Sequence, residues 1–106
     1  MAEDVQRLVA SIRAFDWDAE KRESNLRDHK IDFRDVRGIF DGYHIIRRSD
    51  RHGEIRYEVF GYVENREILA AFTIREGICR LISARRASRK ERREFYHRLT
   101  GRSPAR

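Results

Sequence analysis

The chain runs to 106 residues, 40% of them hydrophobic, with one tryptophan, four tyrosines and six phenylalanines, enough apolar material for a single compact core and too little for two. Its formal net charge is +6, and arginine supplies 21 of the 24 basic residues, which favours planar, paired contacts to phosphate or carboxylate over the point-charge contacts of lysine. The lone cysteine excludes an intramolecular disulfide and a thiolate zinc cluster, and no window is long and apolar enough for a membrane span, so a cytoplasmic protein is expected.

The acidic start Met1-Ala2-Glu3-Asp4 is followed by no continuous apolar stretch, unlike a secretory signal. Val5, Leu8, Val9 and Ile12 fall at i, i+3, i+4 and i+7, which predicts a short amphipathic helix over 3–13, so that residues 1–13 read as an extension of the domain. Ala14-Phe15-Asp16-Trp17 reads as a brief extended segment. Asp18 is placed to cap a mostly polar helix running to about Lys30, with Glu20 in its first turn. Asp32 starts another helix, whose Phe33, Val36, Ile39 and Phe40 form an apolar face before Asp41-Gly42 ends it.

The period then changes from about 3.6 to 2, and Tyr43 to Arg48, Ile55 to Val63, Glu67 to Arg75 and Ile78 to about Ala84 read as four strands. Short connectors rich in turn formers, Ser49 to Glu54, Glu64-Asn65-Arg66 and Glu76-Gly77, suit an antiparallel meander of hairpins. In the second strand Ile55, Tyr57, Val59 and Val63 share one face and Arg56, Glu58, Phe60 and Tyr62 the other, so one face packs and the other is half polar. Cys79, in an apolar run, and Trp17 belong to the core.

Ser88-Arg89-Lys90-Glu91 is a capping box, which predicts a helix from about Arg89 to Thr100, docked by Phe95 and Leu99 and ended by Gly101, with 101–106 a frayed tail. Between Arg85 and Arg106 lie nine basic and two acidic residues, a local net of +7, which leaves the first 84 residues at −1. A near-neutral body with a cationic end suits a polyanion or an acidic protein docking at one place, and equally a solvated basic helix and tail. Residues 14–100 thus form one α+β domain of N-terminal helices, a four-stranded antiparallel meander and a basic C-terminal helix.

The sequence contains no Gly-rich phosphate loop, no Gly-x-Ser-x-Gly elbow and no His-Glu-x-x-His helix. His29, His44, His52 and His97 are scattered over different elements, so no bound metal is expected. The residue types suit RNA cleavage by the neighbouring 2′-hydroxyl, which needs a base, cations to stabilise the phosphorane and an acid for the departing oxygen, without a cofactor. His52 and Glu54 lie on the flexible connector that begins at Arg51, and Arg56 follows on the half-polar face. Arg80, Arg85 and Arg86 can grip phosphate, and Tyr57, Tyr62 or Tyr96 can stack a base or donate a proton. Each has a plainer reading. His52 also suits a solvated turn, and Glu54 and Arg56 a simple ion pair. Lys21, Asn25 and His29 line one helical stripe that faces either a groove or water. Arg80, inside an apolar strand, needs a carboxylate, a carbonyl or a phosphate.

Phe15-Asp16-Trp17-Asp18, Lys21, Asn25 and His29, then Ile31-Asp32-Phe33, Val36 to Asp41, Arg51-His52-Gly53-Glu54, Arg56-Tyr57, Gly61, Thr73, Arg80 to Ala87, Glu91-Arg92 and Tyr96, in that order, resemble the BrnT toxin family over about residues 15 to 97. The resemblance implies a RelE-like fold and a metal-independent endoribonuclease that arrests growth. It also implies a BrnA-type antitoxin, binding DNA through a ribbon-helix-helix domain, so that the complex is the autorepressor. Matching motif positions make His52, Glu54, Arg56, Arg80 and Arg85 the candidate catalytic residues, with Lys21, His29, Arg51, Ser83, Arg86 and Tyr96 candidates for holding RNA. Two departures stand out: residues 1–13 look like an addition, and Lys30 stands where many members close the first helix with glycine. Without the resemblance, a non-catalytic nucleic-acid-binding module and a protein-interaction domain built on the basic helix fit the residues as well.

Overall fold

The computed structural model describes residues 5–101, apart from the side chain of Leu99. A short helix α1 (Val5–Ala10) leads into strand β1 (Ala14–Trp17), helix α2 (Ala19–His29) and a single helical turn α3 (Phe33–Val36) that tightens into a 3-10 turn over Arg37–Asp41. Strands β2 (Ile45–Arg48), β3 (Tyr57–Val63), β4 (Arg66–Arg75) and β5 (Ile78–Arg86) follow, and helix α4 (Arg89–Thr100) ends the described chain. The expected frayed tail beyond Gly101, residues 1–4 and the docking expected of Leu99 lie outside the described residues.

The caps that the sequence announces are made. Asp18 accepts the backbone N–H groups of Glu20 and Lys21 at 2.8 and 3.2 Å, and Ser88 and Glu91 complete their reciprocal box. Lys30 closes α2 in the left-handed region at φ 61°, where glycine is usual, and its Nζ donates to the Arg27 carbonyl at 3.0 Å.

The sheet has five strands in the order β1-β5-β4-β3-β2, and this corrects the expected four-stranded antiparallel meander. The meander from β2 to β5 is antiparallel as its short connectors require, but β1 adds to its far edge in parallel, with Ala14 to Trp17 opposite Ile78 to Leu81. A four-residue strand whose partner lies 64 residues along the chain leaves no local signature. β2 and β3 also start later than expected, at Ile45 and Tyr57, and Ile55 is half exposed in the hairpin.

One face of the sheet carries the main core. Tyr57, Val59 and Val63 of β3, Ile68, Ala70 and Phe72 of β4 and Cys79, Leu81 and Ala84 of β5 meet Ile31, Phe33, Val36 and Ile39, with Leu8, Ile12, Phe15 and Trp17 packed at the margin. The 3-10 turn approaches so closely that a Cβ on Gly61 would meet Ile39 Cγ2 at 2.3 Å, which requires glycine there. On the other face α4 covers one end only: Phe95, fully buried, stacks on Phe60 at 4.6 Å beside Leu69 and Ala87. Arg47 secures this end, lying 5.1 Å from the Phe95 ring and bonding Glu58 at 2.8 Å and Glu94 at 3.2 Å. The rest of that face is open.

Asn25 is the buried polar residue that ties α2 to the sheet: its Nδ2 donates to the Ile31 carbonyl and its Oδ1 accepts the Ala84 N–H, each at 3.0 Å. Asn25→Ala strands both backbone groups, and a loss of roughly 2–4 kcal/mol is expected, read in urea unfolding as a lower midpoint at unchanged slope.

Two cap carboxylates are also held by arginines from other elements. Arg22 of α2 grips Asp32, the α3 cap, through Nε and Nη2 at 2.8 and 3.0 Å, and with the Arg34 N–H lowers its pKa to about 2. Arg85 of β5 grips Glu91 at 2.7 and 2.8 Å and, with the Ser88 N–H, likewise lowers it to about 2. Both native values lie below the unfolded ones, so this stability is complete above the unfolded pKa and lost as pH falls through the native one. Thermal midpoints should therefore drop between about pH 5 and pH 2, and Glu91→Gln, already lacking the charge, should drop less steeply over that window.

Candidate functional site

Strand β5 builds the open face. Its register against β4 jumps from Ala71↔Ser83 to Phe72↔Leu81, so Ile82 is an extra, bulged residue. The bulge shifts the alternation: Cys79, Leu81 and Ala84 face the core, and Arg80, Ser83 and Arg85 share the opposite face. There they stand in register with Thr73, Ala71 and Leu69 of β4. The parallel register of β1 adds Asp16 beside Arg80. Arg80 is therefore on the solvated face, and the partner that an arginine in this strand demands is the Asp16 carboxylate.

The β2–β3 hairpin arches over this row. Arg51 and Glu54 exchange backbone hydrogen bonds at 3.0 and 2.8 Å around His52 at φ 51° and Gly53 at φ 77°. Positive φ at both central residues makes this a tight two-residue hairpin turn, where the sequence suggests a flexible connector. His52 thus sits exposed at the tip of a defined structure.

Two adjoining hollows result. A groove of about 810 Å³ is lined by His52, Glu54, Thr73 and Arg80 together with Asp16, and by Ile55, Ile74 and Ile78 as apolar walls. A smaller depression of about 170 Å³ is lined by Arg51, Arg56, Ser83 and Arg85 with Ser49 and Glu58. The Glu54–Arg56 ion pair, at 3.2 Å, joins a wall of one to a wall of the other. A groove of this size, with apolar sides and a few convergent polar groups, suits a nucleotide-sized ligand. The neighbouring arginines suit an anion. Among the described residues no three His, Cys, Asp or Glu side chains are grouped to hold a metal ion.

The structure thus brings together His52, Glu54, Arg56, Arg80 and Arg85, with Arg51 and Ser83. It does not bring the other candidates to them. Lys21 and His29 are exposed on α2, which packs on the core face, and the stripe they share with Asn25 serves Asn25's structural bridge. Arg86 stands in register with Ile68 on the core side of β5, and Tyr96 is exposed on α4, lining neither hollow. Tyr57, offered by the sequence for base stacking, is a core residue stacked on Phe72 at 5.6 Å. Arg85 is less free than its position suggests, since its guanidinium is engaged by the capping-box Glu91. Cys79 is inert, its thiol pushed up to about 12 by burial. Asp16 and Thr73 also line the candidate site; both stand among the motif positions of the resemblance, but neither is among the candidate site residues, because only a register across three strands unites them with Arg80.

A family model described as the ribonuclease toxin BrnT of type II toxin-antitoxin systems matches residues 17–91. No curated protein matches the chain. Among solved structures, the crystal structure of the Brucella abortus ribonuclease toxin BrnT is similar with a TM-score of 0.55 and 22% identity, over 72% of this chain and 97% of that one. That likeness shows a shared α+β fold. The family match runs from the last residue of β1 to the first turn of α4, and so takes in the whole meander, its bulge and the lining of both hollows except Asp16. On that match, the chain belongs to the BrnT family of ribonuclease toxins of type II toxin-antitoxin systems.

Proposed function

We propose that this protein is a cytoplasmic, metal-independent endoribonuclease that cuts RNA by attack of the 2′-hydroxyl on the adjacent phosphate. The observation that carries the reading is the convergence of His52, Glu54 and Arg80 on one groove, with Arg51, Arg56, Ser83 and Arg85 around the depression beside it. In this reading a nucleoside lies against Ile55, Ile74 and Ile78, and the chain's next phosphate reaches the arginine-lined depression. Arg80 stabilises the charge that builds on the phosphorane oxygens. His52 and Glu54 move the proton: imidazole and carboxylate are the side chains that accept one from a hydroxyl and return it to a leaving oxygen.

A type II toxin has an antitoxin, and we assign it the BrnA type, with DNA bound through its ribbon-helix-helix domain. The exposed cations Arg89, Lys90 and Arg93 of α4 offer an acidic partner a contact.

Purified, antitoxin-free protein is expected to cleave RNA in EDTA and leave 2′,3′-cyclic phosphate ends. RNA that stays intact, or cleavage that requires added metal, overturns the reading.

Substitutions at the groove should separate chemistry from folding. His52→Ala and Arg80→Ala, both at exposed positions, are expected to slow cleavage on the order of 100-fold and leave the thermal midpoint near wild type. Arg85→Ala should lower the midpoint as well, because Glu91 loses its partner. Wild-type cleavage rates in His52→Ala and Arg80→Ala would remove both from the site.

A further inference from the structure

Asp16 belongs to a motif of the resemblance that carries no assigned chemical role, and the fold sets it directly opposite Arg80, with Thr73 next in the same row. All three line the groove with His52 and Glu54. The Asp16 carboxylate is held at both oxygens: Oδ1 accepts the Trp17 backbone N–H at 2.8 Å, and Oδ2 accepts Arg80 Nη1. Its strand is anchored in turn, since Phe15 packs on Phe40 at 5.7 Å and Trp17 meets Phe33 edge-on at 6.3 Å. The carboxylate is therefore a fixed point to which a long, otherwise mobile side chain is tied by one nitrogen. Two more carboxylates, Glu54 and Glu76, line the same groove and compete for a loose guanidinium.

Building on the ribonuclease reading, we propose that Asp16 is a positioning residue of the RNA-cleaving site, holding Arg80 through one nitrogen and leaving its other N–H groups for the scissile phosphate. Both side chains are about half exposed, at 53% and 48% of their area, so the pair contributes little to folding. Its consequence lies in geometry, where a misplacement of about an ångström can cost on the order of 100-fold in rate.

Charge supplies a test of opposite sign. A carboxylate beside an RNA path repels the backbone, so removing one whose only effect is electrostatic strengthens binding and preserves or raises cleavage. A positioning carboxylate, once removed, lowers kcat without weakening binding. The experiment compares Asp16→Ala, Asp16→Asn, Arg80→Ala and the Asp16→Ala/Arg80→Ala double variant by steady-state cleavage of an oligoribonucleotide. Binding is read separately with the fully 2′-O-methylated oligonucleotide, which cannot undergo the attack.

Asp16→Ala is expected to lower kcat at least about tenfold with KM unchanged or lower, the methylated strand bound at least as tightly and the thermal midpoint near wild type. Asp16→Asn, whose amide oxygen still accepts from Arg80, should retain more activity than Asp16→Ala. The double variant should be no slower than Arg80→Ala alone. Full kcat in Asp16→Ala, a further loss in the double variant, or unfolding of both Asp16 variants overturns the proposal while leaving the ribonuclease reading intact. An inactive wild-type protein overturns both.

Discussion

One extra residue in β5 decides what this sheet can do. Without the bulge at Ile82, strict alternation would send Arg80, Ile82 and Ala84 to one face and Leu81, Ser83 and Arg85 to the other. Two polar residues would then face the apolar layer of Phe33, Val36 and Phe72, and Ala84 would present no N–H to Asn25. With it, a single strand supplies Cys79, Leu81 and Ala84 to the core and Arg80, Ser83 and Arg85 to the open face. Core and candidate site thus depend on the same irregularity, and neither can be rearranged without the other.

The second constraint is how little of that face α4 covers. Phe95 docks on Phe60 and Leu69, and Arg47 crosses from the sheet to the helix, so the helix is fixed at the end of the face where Arg85 lies. The row Asp16, Arg80 and Thr73 remains uncovered at the other end, with the His52 turn beside it. The face also carries its arginines already paired: Arg80 with Asp16, Arg56 with Glu54 and Arg85 with Glu91. Pairing keeps like charges from repelling across a small sheet. For the half-exposed pairs it contributes little to stability, and Arg80, bound to Asp16 through one nitrogen, keeps its other N–H groups free of that carboxylate.

Much of this was legible from local pattern. The caps at Asp18, Asp32 and Ser88 are sequence signatures with a mechanism, and each forms as its pattern requires. The hairpins of the meander follow from turn residues and a period of two, and the core face of β3 follows with them. The failures share one cause, dependence on distant partners. β1 is a strand only because Ile78 to Leu81 lie beside it, and Asp16 enters the groove by the same register. Tyr57 and Asn25 were equally ambiguous alone: a polar tip on an alternating strand and an amide on a polar helix both suit a site, until burial assigns one to the core and the other to a backbone bridge.

The site residues therefore differ in how far the fold needs them. Asn25 and Gly61 belong to the motifs that mark the family resemblance, yet their work is to hold α2 to β5 and to let Ile39 approach β3. Arg85 is intermediate, since the guanidinium that faces the small depression also completes the cap of α4. Arg80 and His52 stand at the other extreme, half exposed or fully at a turn tip, with no buried group relying on them. A side chain held in place where stability gains little from it is best explained by what it does to a ligand. By that measure the groove between the His52 turn and the Asp16–Arg80 pair, more than the cationic helix that dominates the net charge, is the place we propose for the chemistry of this fold.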